Sequence, residues 1–400
     1  MLPMETWPYY APDEIEAASR VLGSGKVNYW TGEEARCFEK EFAAYVGTSY
    51  AVALANGTVA LEAALLALGI GPDDEVIVPP RTFVATAGAV VLRGARPVFA
   101  DVDRDSGNLT AATVEAALTP RTRAIIVVHL GGWPCEMEPI LDLAQSRGLA
   151  VIEDCAQSHG AYYRGKHTGS LGEVGAFSFC QDKIISTGGE GGMLVTSSEP
   201  IWLAAWSAKD HGKSWAAVYG KNSKATEGAP HDAISPTFRW LHHSFGSNWR
   251  MTEVQAAIGR LQLTKLESWV GRRRHLAQLL SEGLADLPAL RIPRPAPHIS
   301  PSYYRFYAYV RPEALRDGWD RDRILAEFAA HGIPALVGSC SEVYLEKAFA
   351  QSGLRPRERL PVARELGETS IAFPTHPTLT EATVMHWVEV ARELIKRASR

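Results

Sequence analysis

Cysteine is scarce and scattered. Cys37, Cys135, Cys155, Cys180 and Cys340 are odd in number, lie far apart and form no C-x-x-C pair. That excludes a disulfide framework or a structural zinc site as an organising feature, and it fits a reducing compartment. Long apolar runs are missing too. Stretches such as "AIIVVHL" are far too short to cross a bilayer, so no membrane is expected as a partner. Neither charge dominates: the formal net charge is −4, with no run of Lys and Arg and no helix-turn-helix or zinc-finger spacing. Nucleic acid is therefore not an expected partner. The opening "MLPMETWPYYAPDEIEAASR" has early acidic residues and no basic segment followed by an apolar one. The expectation is a cytoplasmic protein without a secretory signal. No internal repeat and no low-complexity tract is present, and no metal site is expected. No G-x-G-x-x-G opens a helix after the first predicted strand, which counts against a nicotinamide-dependent oxidoreductase.

What is present is an ordinary globular composition, 46% apolar and 22% charged, over 400 residues. That length suits one large and one smaller domain. From about Thr48 to Thr196 short β-branched runs alternate with segments of helical spacing. "EVIVPP", "RPVFADVD", "RAIIVVHL" and "LAVIEDCA" read as buried strands, and "TVALEAALLALGI", "AATVEAALTP" and "MEPILDLAQSRG" as the helices between them. Such alternation predicts an α/β fold with a mostly parallel sheet covered on both faces. "VGAFSF" and "GGMLVT" read as two further strands around a loop. Residues 201 to 248 read as a long irregular stretch, and loops of that length are usually functional or buried against another subunit. A long helix then follows Met251. The remainder reads as a smaller α/β unit with strands "SYYRFYAYV" and "IPALVG", helix "DRDRILAEFAAHG" and a last helix from Glu381. The expected division is 1–262 for the larger domain and 263–400 for the linking helix and the smaller one.

Several stretches place chemistry at strand ends. In "ALANGTVALEAALLALG" a helix opens just after Asn56, so Gly57 and Thr58 sit where unpaired N–H groups and the helix dipole favour an anion. An ordinary helix cap would read the same way. "VIEDCAQSHG" puts Asp154 at the carboxyl end of a predicted parallel strand, where open α/β sheets bind ligands. Gln157 follows within a turn, and His159 either faces a ligand or fills polar space. "PPRTFVATAGAV" sets Phe83 after another strand, as a stacking ring or a core residue. "FSFCQDKIISTGGEGGMLVT" carries Ser178 and then a single lysine, Lys183, ahead of a run of glycines. An amine held inside a site can condense with a carbonyl; one on the surface does nothing of the kind. "FGSNWRMTEVQAAIG" closes the irregular stretch with Asn248 and Arg250 at the mouth of a helix.

The order of these stretches resembles the DegT-type sugar aminotransferases, pyridoxal-phosphate enzymes of fold type I. It runs through "ANGT", "GPDDEVIVPPRTFVAT", "GARPVFADVD", "VIEDCAQSHGA", "GSLGEVGAFSF", "GEGGMLVT" and "RMTEVQAAIG". The resemblance implies a large domain with a mostly parallel sheet plus a smaller C-terminal α/β domain. It implies that Lys183 carries pyridoxal 5'-phosphate covalently and moves protons, with pyridoxamine 5'-phosphate formed during the cycle. By the same resemblance Asp154 pairs with the pyridine nitrogen, Gln157 meets the ring hydroxyl and Phe83 stacks on the ring. Gly57, Thr58 and Ser178 would hold the phosphate, Asn248 would reach the phosphate in the neighbouring subunit, and Arg250 would lie near a substrate carboxylate. Tyr29 and Trp30 match positions where an aromatic lines a sugar pocket, or else pack the dimer, and His376 in "AFPTHPTLTEA" matches the closing motif. The implied donor is glutamate, or glutamine in the aminocyclitol branch. The implied acceptor is a nucleotide-linked keto-sugar, or a keto-inositol, and the product an amino sugar for cell-surface glycans such as lipopolysaccharide or for an antibiotic. A homodimer with shared sites is expected. Deoxygenating relatives carry histidine in place of the lysine, so Lys183 counts against that chemistry. "HGIPALVGSCSEVYLEKAF" departs from the pattern: Gly338, Ser339 and Cys340 stand where a histidine and tyrosine often bind the sugar. A non-catalytic regulator on the same fold is the competing expectation, since fold alone does not establish function.

Overall fold

The alternation of apolar runs and amphipathic segments folds into a large sheet and a small one linked by one long helix, with a third sheet of three short strands beside them. A computed structural model describes residues 6–220 and 239–400; residues 221–238 of the predicted irregular stretch lie outside these. The strands in chain order are β1 (Tyr50–Leu54), β2 (Glu75–Val78), β3 (Arg96–Phe99), β4 (Thr122–Val128) and β5 (Ala150–Asp154). They continue with β6 (Tyr162–Tyr163), β7 (Lys166–His167), β8 (Val174–Ser178), β9 (Gly192–Thr196), β10 (Leu290–Arg291), β11 (Ile299–Ser300), β12 (Arg305–Val310) and β13 (Ser370–Pro374). The large sheet has the order β1-β9-β8-β5-β4-β2-β3. Its neighbours from β3 to β8 pair in parallel, and β9 runs antiparallel between β8 and β1. Strands of a parallel sheet end on one edge, so the chain leaving Leu54, Val78, Asp154 and Ser178 emerges at a common rim.

The helix Glu253–Leu284 begins at Thr252, whose hydroxyl accepts from the Gln255 amide while the Gln255 side chain accepts from the Thr252 amide. Its first half packs Ala256, Leu266 and Val270 into the core under the large sheet. Its second half packs Leu276, Leu280 and Leu284 against β12, β13 and the helix Glu381–Ala398. The handover between cores falls between Val270 and Leu276, roughly three turns beyond the expected boundary at residue 262.

Three local expectations need correction. The irregular stretch contains two helices, Glu199–Lys209, with Pro200 in its first turn, and Trp215–Tyr219, capped by the Ser214 hydroxyl. "IPALVG" makes only a single bridge, Leu336 to Ala372, because Pro334 and Gly338 bracket it. The strand it joins, β13, is a short apolar run held between a helix and Pro374 and went unpredicted.

Adjacent carboxylates on β5 face opposite sides of the sheet. Glu153 is fully buried on the side away from the site, where it accepts from the amides of Gly169 (2.8 Å), Leu171 (2.7 Å) and Gly172 (2.8 Å) and pairs with His129 at 3.0 Å. Burial raises its pKa, but the His129 contact and the amides outweigh that and hold it below the usual carboxylate range. Glu153→Ala strands three backbone amides, that of Gly169 fully buried, together with the buried His129, and is expected to destabilise the protein by about 3 kcal/mol. Denaturant unfolding would read this as a lower midpoint.

Candidate active site

The rim formed by the strand ends encloses a cavity of about 600 Å³. Gly57, Thr58, Phe83, Asp154, Gln157, Ser178 and Lys183 all line it. At its floor, Asn56 caps the helix Gly57–Ala67 by accepting from the Val59 amide at 3.0 Å. The amides of Gly57 and Thr58 have no partner within that helix and open onto the cavity. Glycine is required at 57: a Cβ there would come within 2.6 Å of the Ser178 Cβ.

On one wall Asp154 is 5% exposed. Its carboxylate accepts from Thr86 Oγ1 at 2.8 Å and the Ala156 amide at 3.1 Å, with no cation in contact among the described residues. Burial pushes its pKa up, against the pull of those hydrogen bonds. Thr82 and Thr86 are linked at 2.8 Å, which fixes Thr86 beneath the carboxylate. Phe83, just before the helix Val84–Leu92, turns a ring that is 68% exposed toward the cavity.

Across from these, Lys183 lies on the loop between β8 and β9. Its Nζ is 3.9 Å from Asp182 Oδ1 and 5.0 Å from the centre of the Tyr304 ring. Burial works against the ammonium, while Tyr304, Asp182, Cys180 and Asp154 raise its pKa above the ordinary lysine value. Tyr304 donates to Asp182, which steadies the residue next to the amine. A smaller hollow of about 280 Å³ continues from Lys183 past Tyr304 and Arg305 to Gly338, Ser339 and Cys340. The divergent loop therefore borders the site. Gln157 accepts from the Gly131 amide at 2.7 Å and donates to Ser339 Oγ at 3.4 Å. Gly338 has φ +85°, and a Cβ there would run into the Tyr307 ring.

Other predicted residues sit elsewhere in the chain. Tyr29 is a core residue rather than a pocket wall: it is 2% exposed, donates to Glu39 at 3.2 Å, accepts from Trp206 at 3.3 Å, and has Lys209 Nζ over its ring at 3.9 Å. Trp30 donates to Asp210 at 2.6 Å, Lys213 donates to the same carboxylate at 3.0 Å, and Arg250 is tied to it as well. Asn248 bridges Asp210 through the backbone. None of these four predicted residues lines the cavity of its own chain. His159 is fully buried between Phe177 and Phe179, outside the wall, and burial followed by His167 and Lys183 lowers its pKa to about 3. His376 lines a separate hollow that meets the site at Asp182 and Tyr304. Sequence reading missed Thr86, Asp182, Tyr304 and Glu190. Thr86 lies three residues after Phe83, one helical step on the same face, and Asp182 adjoins the lysine.

Pyridoxal phosphate presents a phosphate, a flat ring with a basic nitrogen and an aldehyde. The open helix start with its glycine cradle, the exposed Phe83 ring, the buried Asp154 without a cation and the Lys183 amine match those parts one by one. The residues fit the group.

Comparison with known proteins agrees. The sequence profile described as the DegT/DnrJ/EryC1/StrS aminotransferase family matches residues 8–392. A dTDP-3-amino-3,4,6-trideoxy-alpha-D-glucose transaminase of Streptomyces venezuelae is 37% identical over 388 residues, 97% of this chain and 93% of that one. A GDP-perosamine synthase of Caulobacter vibrioides is 38% identical over 349 residues, 87% and 86% of the two chains. Among solved structures, an aminotransferase from Psychrobacter cryohalolentis is 49% identical, with a TM-score of 0.94 over 99% of this chain and 100% of that chain.

Proposed function

The chain belongs to the DegT/DnrJ/EryC1/StrS aminotransferase family, and from that premise we propose that it moves an amino group from glutamate or glutamine to a nucleotide-linked keto-sugar. It is a pyridoxal-phosphate-dependent sugar aminotransferase; the donor, the acceptor and the roles of individual residues are our reading. The observation that carries the reading is one cavity in which Lys183 and Asp154 face each other above an open helix start. A nucleotide-linked acceptor is supported by the dTDP- and GDP-linked sugars named for two relatives.

When bound, the cofactor supplies an aldehyde that condenses with amines and a ring that takes up electrons from a broken C–H bond. Gly57, Thr58 and Ser178 would hold its phosphate, Phe83 would lie over its ring, and Gln157 would donate to its hydroxyl. Asp154, already short of a cation, would keep a proton on the ring nitrogen. Lys183 Nζ would take a proton from the donor's α-carbon and, in the acceptor half-reaction, deliver one to the carbon that gains the amine; Thr82, Phe83 and Tyr304 line the hollow beside it. Asp182, anchored by Tyr304, would orient that amine.

A homodimer with shared sites is part of the same reading. Asn248 and Arg250 lie outside their own chain's cavity, beside a Phe245 ring that is fully exposed. Mixing Lys183→Ala and Asn248→Ala subunits one to one should restore about half the parent activity in each mixed dimer, and so about a quarter in the whole mixture, when neither variant alone turns over. No recovery after subunit exchange would argue for self-contained sites. Cytoplasmic placement is supported by the unpaired state of all five cysteines.

The reading is tested by converting the cofactor to its amine form with glutamate or glutamine, then offering a panel of nucleotide keto-sugars and keto-inositols. Return of the carbonyl-form absorbance with a nucleotide keto-sugar supports it. Return only with keto-inositols would move the acceptor to the cyclitols.

A further inference from the structure

A hollow of about 410 Å³ beside the site is walled by Trp7, Arg273, Arg305, His376 and Trp387. It shares Asp182, Tyr304 and Arg305 with the smaller hollow that opens on Lys183, so the two meet at the start of β12. Its charge is one-sided. Arg273 is 1% exposed, stacks on Trp7 with 5.3 Å between its guanidinium carbon and the ring centre, and leaves Nε and Nη2 without a hydrogen-bond partner. Arg305 rests over the Tyr304 ring at 5.1 Å and has no ion pair among the described residues. The acidic group on this wall is Asp182, already engaged with Tyr304 and close to Lys183. Burial and Arg305 bring Arg273 down to about 9, and burial with both arginines brings His376 down to about 4. A buried guanidinium with no counter-ion is destabilising. An anion entering the hollow would remove that cost.

We propose that this hollow is an oxyanion subsite holding the phosphate or diphosphate tail of the amino acceptor, with Arg273 and Arg305 as its two cations. The proposal rests on the acceptor class argued above. Two guanidiniums match a doubly charged diphosphate better than a single carboxylate, and guanidinium forks suit phosphate oxygens. Trp7, which is half-buried at the edge of the hollow, adds apolar surface that an amino acid donor does not need and a nucleoside base can use. Arg250, expected from the resemblance near a substrate carboxylate, forms an ion pair with Asp210 and lies outside this hollow.

The test uses the holoenzyme with inorganic pyrophosphate, dTDP and GDP as calorimetric probes, and the two half-reactions measured apart. Arg305→Gln, at a partly exposed position, and Arg273→Gln should each weaken pyrophosphate binding at least tenfold. Each should also raise the KM of the acceptor half-reaction by a similar factor while the donor half-reaction with glutamate keeps its KM. If Arg273→Gln does not fold, Arg305→Gln carries the test. A raised donor KM with unchanged acceptor KM would make the anion a donor carboxylate and overturn the assignment. Unchanged pyrophosphate binding and unchanged KM in both halves would overturn the subsite altogether. A parent enzyme that aminates no nucleotide keto-sugar would sink the acceptor class instead, an outcome separate from either variant's.

Discussion

Lys183→Ala is expected to lower transamination by at least ~10³-fold while leaving the thermal midpoint of the cofactor-free protein within a few degrees of the parent. Lys183 is the one lysine among the residues lining the cavity, so no other amine stands ready to replace it. Positioned acid–base groups contribute about 10²–10⁴-fold, and loss of a covalent nucleophile adds to that. Structure should survive because the side chain makes no hydrogen bond among the described residues, only a 3.9 Å ion pair with Asp182 and an approach to the Tyr304 ring. Single-turnover reaction with glutamate reads the effect directly. Partial recovery on adding a small primary amine would separate loss of the amine from loss of shape, and activity within tenfold of the parent would contradict the assigned role.

Asp154→Asn comes next in expected size. The substitution keeps the side chain's shape and its place beside Thr86, but removes the charge that would hold a proton on the ring nitrogen. Breaking a buried ion pair by removing one partner costs about 3–5 kcal/mol, which corresponds to roughly 10²–10⁴-fold in rate. The stability effect has the opposite sign. Burial raises the pKa of Asp154, so its ionised form is disfavoured in the cofactor-free fold, and the neutral amide should melt at the same temperature or slightly higher. The neighbouring carboxylate behaves the other way: Glu153→Ala lowers stability, because Glu153 satisfies three backbone amides on the opposite face of β5. Rate and melting temperature measured for both variants would separate a site residue from a structural one, one position apart in the chain.

This pair also shows where sequence is informative. Asp154, Ser178, Gly57 and Phe83 could be placed together because alternating strands and helices force the strand ends onto one edge. Glu153 differs from Asp154 only by strand alternation, which becomes interpretable once the edge is known. Tyr29 and His159 were candidates because an aromatic or a histidine near a motif looks alike in a wall and in a core. Their burial, against Trp206 and Glu39 for one and Phe177 and Phe179 for the other, depends on packing between elements far apart in sequence. Tyr304 and Arg273 were missed for the same reason: they reach the site from β12's approach and from the long helix, and no local pattern marks either. The 338–340 loop departs from the family pattern in sequence, but its contact with Gln157 through Ser339 arises only in three dimensions.

The proposed chemistry depends on the amine at position 183 being where the cofactor is attached. Borohydride reduction of the holoenzyme, followed by proteolysis and peptide mass mapping, tests it most directly. The account predicts one phosphopyridoxyl group per chain, on the peptide containing Lys183. The same group found on another lysine, or a cofactor released unattached after reduction, would contradict it.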